Sequence, residues 1–334
     1  MEVTVEKFKA FQVREENGQF TTTILQRDIS DLPAGDVLVR VHYSSVNYKD
    51  ALSASGNKGV TRQFPHTPGI DAAGTVISTS SAAFQPGDEV IVIGYDLGMN
   101  TSGGFGQYIR VPADWVVKRP QSLDLRESMI IGTAGFTAAL CIEKLIANGV
   151  NPKSGTVLVT GATGGVGIVA VALLHTLGFQ VCASTGKPDS RDLLLSLGAS
   201  EVIDRKQLGD ENPKPMLKEQ WAGAIDVVGG ETLGNVIKSL RYGGSVACCG
   251  LVQSPIFKTT VLPFILRGVN LLGVDSVQLP ISVKAAVWHK LALDWKLPNL
   301  ESLCHEIDFD ALELTLQQVL RGEACGRFVL NLDS

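Results

Sequence analysis

After Asp36 the chain reads V-L-V-R-V-H-Y-S-S-V to Val46, apolar and polar positions alternating with the period of two that a half-buried strand shows. Further short runs at 69–79, 89–93 and 105–111 sit between Gly, Pro and Asp turns, so the first third is predicted to be mostly β. At Arg126 the texture changes. The following E-S-M-I-I-G-T-A-G-F-T-A-A-L-C-I-E-K-L repeats apolar residues at helical spacing over several turns, which predicts a helix at the opening of a second region.

Beyond Pro152 strands and helices alternate quickly. The pattern predicts a strand at 156–160, a glycine turn, a helix at 167–177, a strand at 180–183, a helix at 190–197 and a strand at 201–203. A-I-D-V-V from Ala224, a helix at 232–240, G-S-V-A-C-C-G from Gly244 and V-N-L-L-G-V-D from Val269 continue the series, with a sixth strand ending near Val274. Such alternation implies the α/β class and a doubly wound parallel sheet with right-handed crossovers. The segment 282–333 returns to helical periodicity and closes on R-F-V-L-N-L, a strand-like run that could rejoin the first, β-rich region. The chain carries no internal repeat and no low-complexity tract.

At 334 residues the chain exceeds one ordinary core and suits two domains with a cleft between them. A hydrophobic share of 45% against 19% charged, with 35 glycines, describes a compact protein rich in tight turns and excludes a disordered one. The net charge of -5 and the lack of any long basic run argue against nucleic acid as a partner. The opening M-E-V-T-V-E-K-F-K-A has neither the order of a signal peptide nor that of a transit peptide, so the chain is expected to be mature from Met1. No apolar stretch was expected to approach the roughly 20 residues of a membrane span, which together point to a soluble, cytoplasmic protein. Six cysteines without a C-x-x-C pair fit free, buried thiols.

The strongest local signal is V-L-V-T-G-A-T-G-G-V-G, in which Gly161, Gly164 and Gly167 fall directly after a predicted strand and before a predicted helix. Missing Cβ atoms allow the sharp turn and let backbone amides approach a pyrophosphate, while the helix N-terminus favours anions. Dinucleotide binding follows from that context rather than from the spacing alone. In NAD-binding sheets an Asp or Glu about 20 residues further on holds the ribose hydroxyls, whereas a 2′-phosphate calls for hydroxyls and cations. Here the chain reads Ser184-Thr185-Gly186-Lys187, with Arg191 and Arg205 nearby, so NADPH is preferred over NADH. The competing reading of Lys187 is a solvated surface lysine, and that of Arg205 an ion pair with Asp204.

Longer strings carry a resemblance. S-S-V-N-Y-K-D-A-L (44–52), F-P-H-T-P-G-I-D-A-A-G-T-V (64–76), M-I-I-G-T-A-G-F-T-A (129–138) and L-P-F-I-L-R-G-V-N-L-L-G-V-D-S (262–276) resemble the medium-chain dehydrogenase/reductase superfamily. The quinone-oxidoreductase branch, and within it the acryloyl-CoA reductase subgroup, fits best over essentially the whole chain. The resemblance implies a GroES-like, β-rich catalytic domain at 1–125, completed by 277–334, around a Rossmann NADPH-binding domain at 126–276. Zinc-dependent relatives place a Cys early in the catalytic domain, a G-H-E motif some twenty residues later and four close Cys in a structural lobe. Here 43–52 and 94–119 lack cysteine and the later motif reads P-G-I-D, with Asp71, so neither usual zinc site can be assembled and no metal is expected.

The chemistry implied by the resemblance is hydride transfer to the β-carbon of a short enoyl thioester such as acryloyl-CoA, followed by protonation of the α-carbon. Tyr48 is implied nearest the nicotinamide, as a catalytic and cofactor-binding residue, with solvent as the competing proton donor. A packed core tyrosine is the bland alternative. Asn47 and Asp50 would order its loop, and Asp71 would serve as a turn or domain-contact residue. The resemblance further assigns Thr163, Gly164, Gly165 and Val166, then Thr185, Gly186 and Lys187, to the cofactor, with Arg205 at the adenosine phosphate. Leu251, Ile265 and Ser276 map onto later cofactor contacts near the nicotinamide end, and Arg327, also assigned to the cofactor, onto closure of the cleft; Leu251 and Ile265 could equally be core residues. Lys58 and Arg62 are candidates for CoA phosphates against a reading as solvated charges. Two other functions stay open, an NADPH-dependent quinone or enone reductase and a non-enzymatic NADPH-binding protein. A homodimer is expected, with the apolar stretch 261–274 pairing as an edge strand across a two-fold axis.

Overall fold

The structure, a computed structural model, describes residues 7–334; the opening segment 1–6, part of the basis for reading the N-terminus as mature, lies outside the described residues. The chain divides into two compact units, one running to Thr133 and resuming over Val277–Leu293 and Pro298–Ser334, the other made of Ala134–Ser276 and Asp294–Leu297.

The first unit opens with a hairpin of β1 (Lys7–Glu16) and β2 (Gln19–Asp28), whose two-residue turn puts Asn17 and Gly18 at φ 52° and 77°. Positive φ at both positions matches the twist of the strands, and Asn-Gly tolerates it. Next come β3 (Val37–Ser45), α1 (Tyr48–Ala54), β4 (Asp71–Thr79), β5 (Glu89–Ile93), β6 (Tyr108–Val111) and β7 (Val116–Lys118). The alternation of β3 holds over Val37, Val39 and Val41, which are buried, and Arg40 and His42, which are half-exposed, but Leu38 on the second face is buried as well, in a separate apolar cluster with Phe8 and Tyr108. Helix α2 (Leu125–Ala147) follows, broken at Gly132, where φ 49° and ψ −163° leave the helical region.

This helix corrects one sequence expectation. Leu125–Ala147 is apolar and long enough, by length and composition, to cross a membrane. Yet 78% of its most apolar window is buried inside the protein, and Gly132 breaks its hydrogen-bond ladder, which is the behaviour of a core helix.

The second unit contains β8 (Val157–Val159), α3 (Gly165–Thr176), β9 (Val181–Thr185), α4 (Arg191–Ser196), β10 (Glu201–Asp204), α5 (Lys206–Gly209), β11 (Trp221–Asp226), α6 (Gly230–Ser239), β12 (Leu240–Cys248), α7 (Leu262–Arg267) and β13 (Asn270–Gly273). Its six strands are all parallel, in the order β10-β9-β8-β11-β12-β13. The order reverses between β8 and β11, the switch point at which open α/β sheets bind ligands. The buried stretch Ile168–Leu174 of α3, apolar on every side, packs as a fully enclosed crossover helix.

The apolar stretch 261–274 is not one strand. Pro263 at the first helical turn and Gly268 in the left-handed region (φ 59°, ψ 32°) start and stop α7, and only then does the chain extend into β13 at the sheet's outer edge.

The chain then returns to the first unit through α8 (Ile281–Ala292), β14 (Cys304–Ile307), α9 (Phe309–Leu320) and β15 (Arg327–Asn331). β15 pairs antiparallel with β3, Val329 opposite Ser45, and the seven-stranded sheet runs β14-β15-β3-β4-β5-β7 with β6 also on β3. On α8 the fully buried Lys284 donates from Nζ to Ile93 O (2.7 Å) and Val277 O (2.9 Å) and lies 3.4 Å from the Tyr95 ring centroid. All six cysteines are unbridged, and burial pushes the Cys182 thiol up to about 12, far from thiolate reactivity.

Candidate active site

In the second unit the turn between β8 and α3 is shaped by its glycines. Gly161 has φ 57°, and a Cβ there would lie 2.6 Å from Val227 Cγ2. A Cβ on Gly167 would come within 2.3 Å of Gly161 O, so helix and turn approach as closely as they do because none is present. The N-cap of α3 is Gly164, and Ile168 N donates to Gly164 O at 2.9 Å. The amides of Gly165, Val166 and Gly167 are therefore those a helix leaves for an outside acceptor.

Behind the turn stands a carboxylate that sequence reasoning missed. Asp226, buried at the end of β11, accepts from Thr160 Oγ1 (2.7 Å) and Gly229 N (2.8 Å), so one side chain ties the glycine turn to the turn that follows β11. Burial pushes its carboxyl up to about 6, against those hydrogen bonds. The only signal was an Asp inside the apolar run A-I-D-V-V.

The segment after β9 lies beside this turn. Thr163 Oγ1 and Thr185 Oγ1 are 3.3 Å apart, and Thr185 Oγ1 also accepts from Lys187 N at 3.1 Å. Arg205 is exposed, and its side chain packs over Gly186, where a Cβ would meet Arg205 Nε at 2.4 Å. The carboxylate of Asp204 accepts instead from Lys206 N (2.9 Å). Thus Thr163, Thr185, Gly186, Lys187 and Arg205 come together around one end of the turn.

Of the remaining residues in this unit, Leu251 and Ile265 are exposed, at 55% and 68%, which removes the alternative of core packing. Ser276 is nearly buried and accepts from Thr137 Oγ1 at 2.9 Å.

In the first unit Tyr48 is the half-buried first residue of α1, and Asn47 is its N-cap. Asp50, fully buried, turns back so that Oδ2 accepts from Asn47 N (2.8 Å), while Oδ1 accepts from Gly69 N (3.2 Å) and Ile70 N (2.8 Å). Burial first, and the charge of Asp71 second, push its carboxyl up to about 7. Asp71 is more than a turn residue. It starts β4, is fully buried, and accepts at Oδ2 from Ser45 Oγ (2.5 Å), Asn47 Nδ2 (2.9 Å) and Thr133 N (2.8 Å), and at Oδ1 from Thr133 Oγ1.

Arg327 completes this cluster. At 2% exposure it donates from Nε to Ile130 O (2.9 Å) and from Nη1 to Val46 O and Asn47 Oδ1 (both 3.4 Å), and Nη2 is buried without a hydrogen-bond partner. Burial lowers its guanidinium from the ordinary value, with Asp71 acting against that shift. Lys58 pairs with Glu15 and lies over the rings of Phe20 and Phe64, whereas Arg62 is exposed. Among the described residues no group of three or more His, Cys, Asp or Glu is placed to hold a metal.

Two family models match the chain, the alcohol dehydrogenase GroES-like domain over residues 33–121 and the zinc-binding dehydrogenase over residues 165–293. The acrylyl-CoA reductase AcuI of Ruegeria pomeroyi is 42% identical over 96% of this chain and 97% of its own length. Two solved structures, Escherichia coli K-12 YhdH with bound NADPH (43% identical) and Bacillus subtilis yhfP with NAD bound (44%), each match at a TM-score of 0.94 over 97% of this chain and 99% of theirs. A GroES-like unit and a Rossmann unit in one chain define a two-domain oxidoreductase class. Within it, the chain belongs to the medium-chain dehydrogenase/reductase superfamily, in the branch of the quinone oxidoreductases and acrylyl-CoA reductases.

The Asp50 carboxyl generates a pH prediction. Unfolded, it ionises near the ordinary value of 3.8; folded, it holds its proton up to about 7. The folded state therefore binds more protons between those values, and the contribution of Asp50 to stability, complete below the lower one, is lost as pH rises through about 7, at up to about 1.4 kcal/mol per pH unit. Urea unfolding of wild type and Asp50→Asn at pH 5, 6, 7 and 8 should show a shallower decline in the variant. Parallel declines would refute the assignment.

Proposed function

We propose that the protein reduces the activated carbon–carbon double bond of a short enoyl-CoA, acryloyl-CoA being the substrate, with NADPH and without a metal. The observation that carries the reading is the full-length similarity, at 42% identity, to an acrylyl-CoA reductase. When bound, NADPH supplies the hydride from nicotinamide C4.

The residues present fit that cofactor. The side-chain-free turn at Gly161 and Gly164 and the open amides of Gly165 and Val166 suit a pyrophosphate, and Thr185, Lys187 and Arg205 suit a 2′-phosphate. Leu251, Ile265 and Ser276 are assigned to the nicotinamide end. In this reading the Tyr48 phenol hydrogen-bonds the acceptor and delivers the proton to the α-carbon, and Arg327 holds the start of its helix. A quinone reductase is the second reading; the pairing of Lys58 with Glu15 favours it, because that ammonium is then engaged away from any CoA phosphate. We further propose a homodimer, formed where exposed Ile256, Val261 and Leu266 lie close in sequence to the edge strand β13.

Three measurements test these points. Loss of NADPH absorbance should be rapid with acryloyl-CoA, slower with crotonyl-CoA and negligible with a benzoquinone; turnover of the quinone alone would transfer the protein to the second reading. Lys187→Ala combined with Arg205→Ala should raise KM for NADPH at least about tenfold, as loss of charge-assisted hydrogen bonds implies, and leave KM for NADH nearly unchanged. Equal effects on both would remove the phosphate site. Light scattering at micromolar concentration should give twice the chain mass of 35.6 kDa, and a monomer would end the dimer proposal.

A further inference from the structure

Asn47, the residue before Tyr48, is held by three buried ionisable groups, Asp50, Asp71 and Arg327. Its backbone N donates to Asp50 Oδ2 (2.8 Å), its Nδ2 to Asp71 Oδ2 (2.9 Å), and its Oδ1 accepts from Arg327 Nη1 (3.4 Å). Asp50 and Asp71 have no exposed surface and Arg327 has 2%. Asn47 Nδ2 also donates to Ser45 O (3.2 Å), and its side chain accepts from the Asp50 amide in a capping box, but α1, with seven residues, is too short to hold its own first turn in place.

We propose that Asp50, Asp71 and Arg327 are positioning residues for the reaction, acting through Asn47 to fix where the Tyr48 phenol stands. The inference rests on the reading of Tyr48 as the group at the reacting centre. The hydrogen bonds to Asp71 and from Arg327 are charge-assisted, the stronger kind, and in a site shielded from water they resist competition, so the cap is restrained in direction as well as in place. A helix start held this way fixes the Cα–Cβ direction of its first residue, and misplacement of a reacting group by about 1 Å can lower a rate about a hundredfold. An architectural role alone would affect only how much protein is folded. Positioning affects the chemical step.

The test is a double-mutant cycle on the full chain with saturating NADPH, using acryloyl-CoA, or the benzoquinone if only that is turned over. Asn47→Ala leaves Asp50, Asp71 and Arg327 in place and is the principal variant; Asp71→Asn is the second, and thermal unfolding verifies that each is folded. Asn47→Ala should lower kcat about tenfold while KM for NADPH stays within about twofold, and in a Tyr48→Phe background the same change should lower kcat less than about twofold. If Tyr48→Phe lowers kcat but Asn47→Ala multiplies that loss in full, or raises KM instead, the positioning proposal is wrong and the role of Tyr48 survives. If Tyr48→Phe leaves kcat unchanged, or wild type turns over neither acceptor, the reading of Tyr48 fails and takes the inference with it.

Discussion

A carboxylate removed from water must find protein donors to replace the ones it leaves, and Asp71 finds them on three separate stretches of its unit. Ser45 ends β3, Asn47 caps α1, and Thr133 follows the break in α2. The break is part of the same solution. At Gly132 a Cβ would lie 2.4 Å from Ser45 Oγ and 2.7 Å from Asp71 Oδ2, so only glycine lets the backbone pass and present the Thr133 amide. The result is that the backbone directly after the break presents the amide and hydroxyl of Thr133 to a carboxylate delivered by a β-strand.

The nucleotide unit uses the same device at its switch point. Asp226 is also a buried carboxylate at a strand end, and it too accepts a hydroxyl and an amide from two turns that meet there. Placing fixed negative charge behind a phosphate-binding turn is electrostatically adverse to phosphate, so the arrangement makes sense as geometry. It keeps the peptide planes of the turn in position, and burial raises its carboxyl toward the neutral form, which weakens the repulsion.

What the sequence made legible follows from range. Strands with one face in the core, such as β3, show in the alternation of a few neighbouring residues, and the glycine turn shows because its requirements are local. α7 was misread because an apolar run of six or seven residues has no period to tell helix from strand; Pro263 and Gly268 were the better guides. The buried charges could not be read. Whether Asp71 is a turn residue or the centre of a network depends on Thr133 and Arg327, which lie far from it in the chain, and the pairing of Lys58 depends on Glu15 in a hairpin 43 residues away.

The pairing of β15 with β3 has a consequence for how the molecule assembles. Val329 lies opposite Ser45, so on the ribosome the end of β3 from Tyr43 to Ser45 waits for its partner until β15 is made, long after β4 and β6 have paired with the rest of the strand. The nucleotide unit, nearly continuous in sequence and built of parallel crossovers between successive segments, can form in that interval. Arg327 arrives with β15, so until then Asp50 and Asp71 have no cation from that strand and their surroundings have reason to stay hydrated. Dehydration of that interior and closure of the sheet edge then become a single late event, which makes the first unit the slower to mature and the more exposed to mispairing.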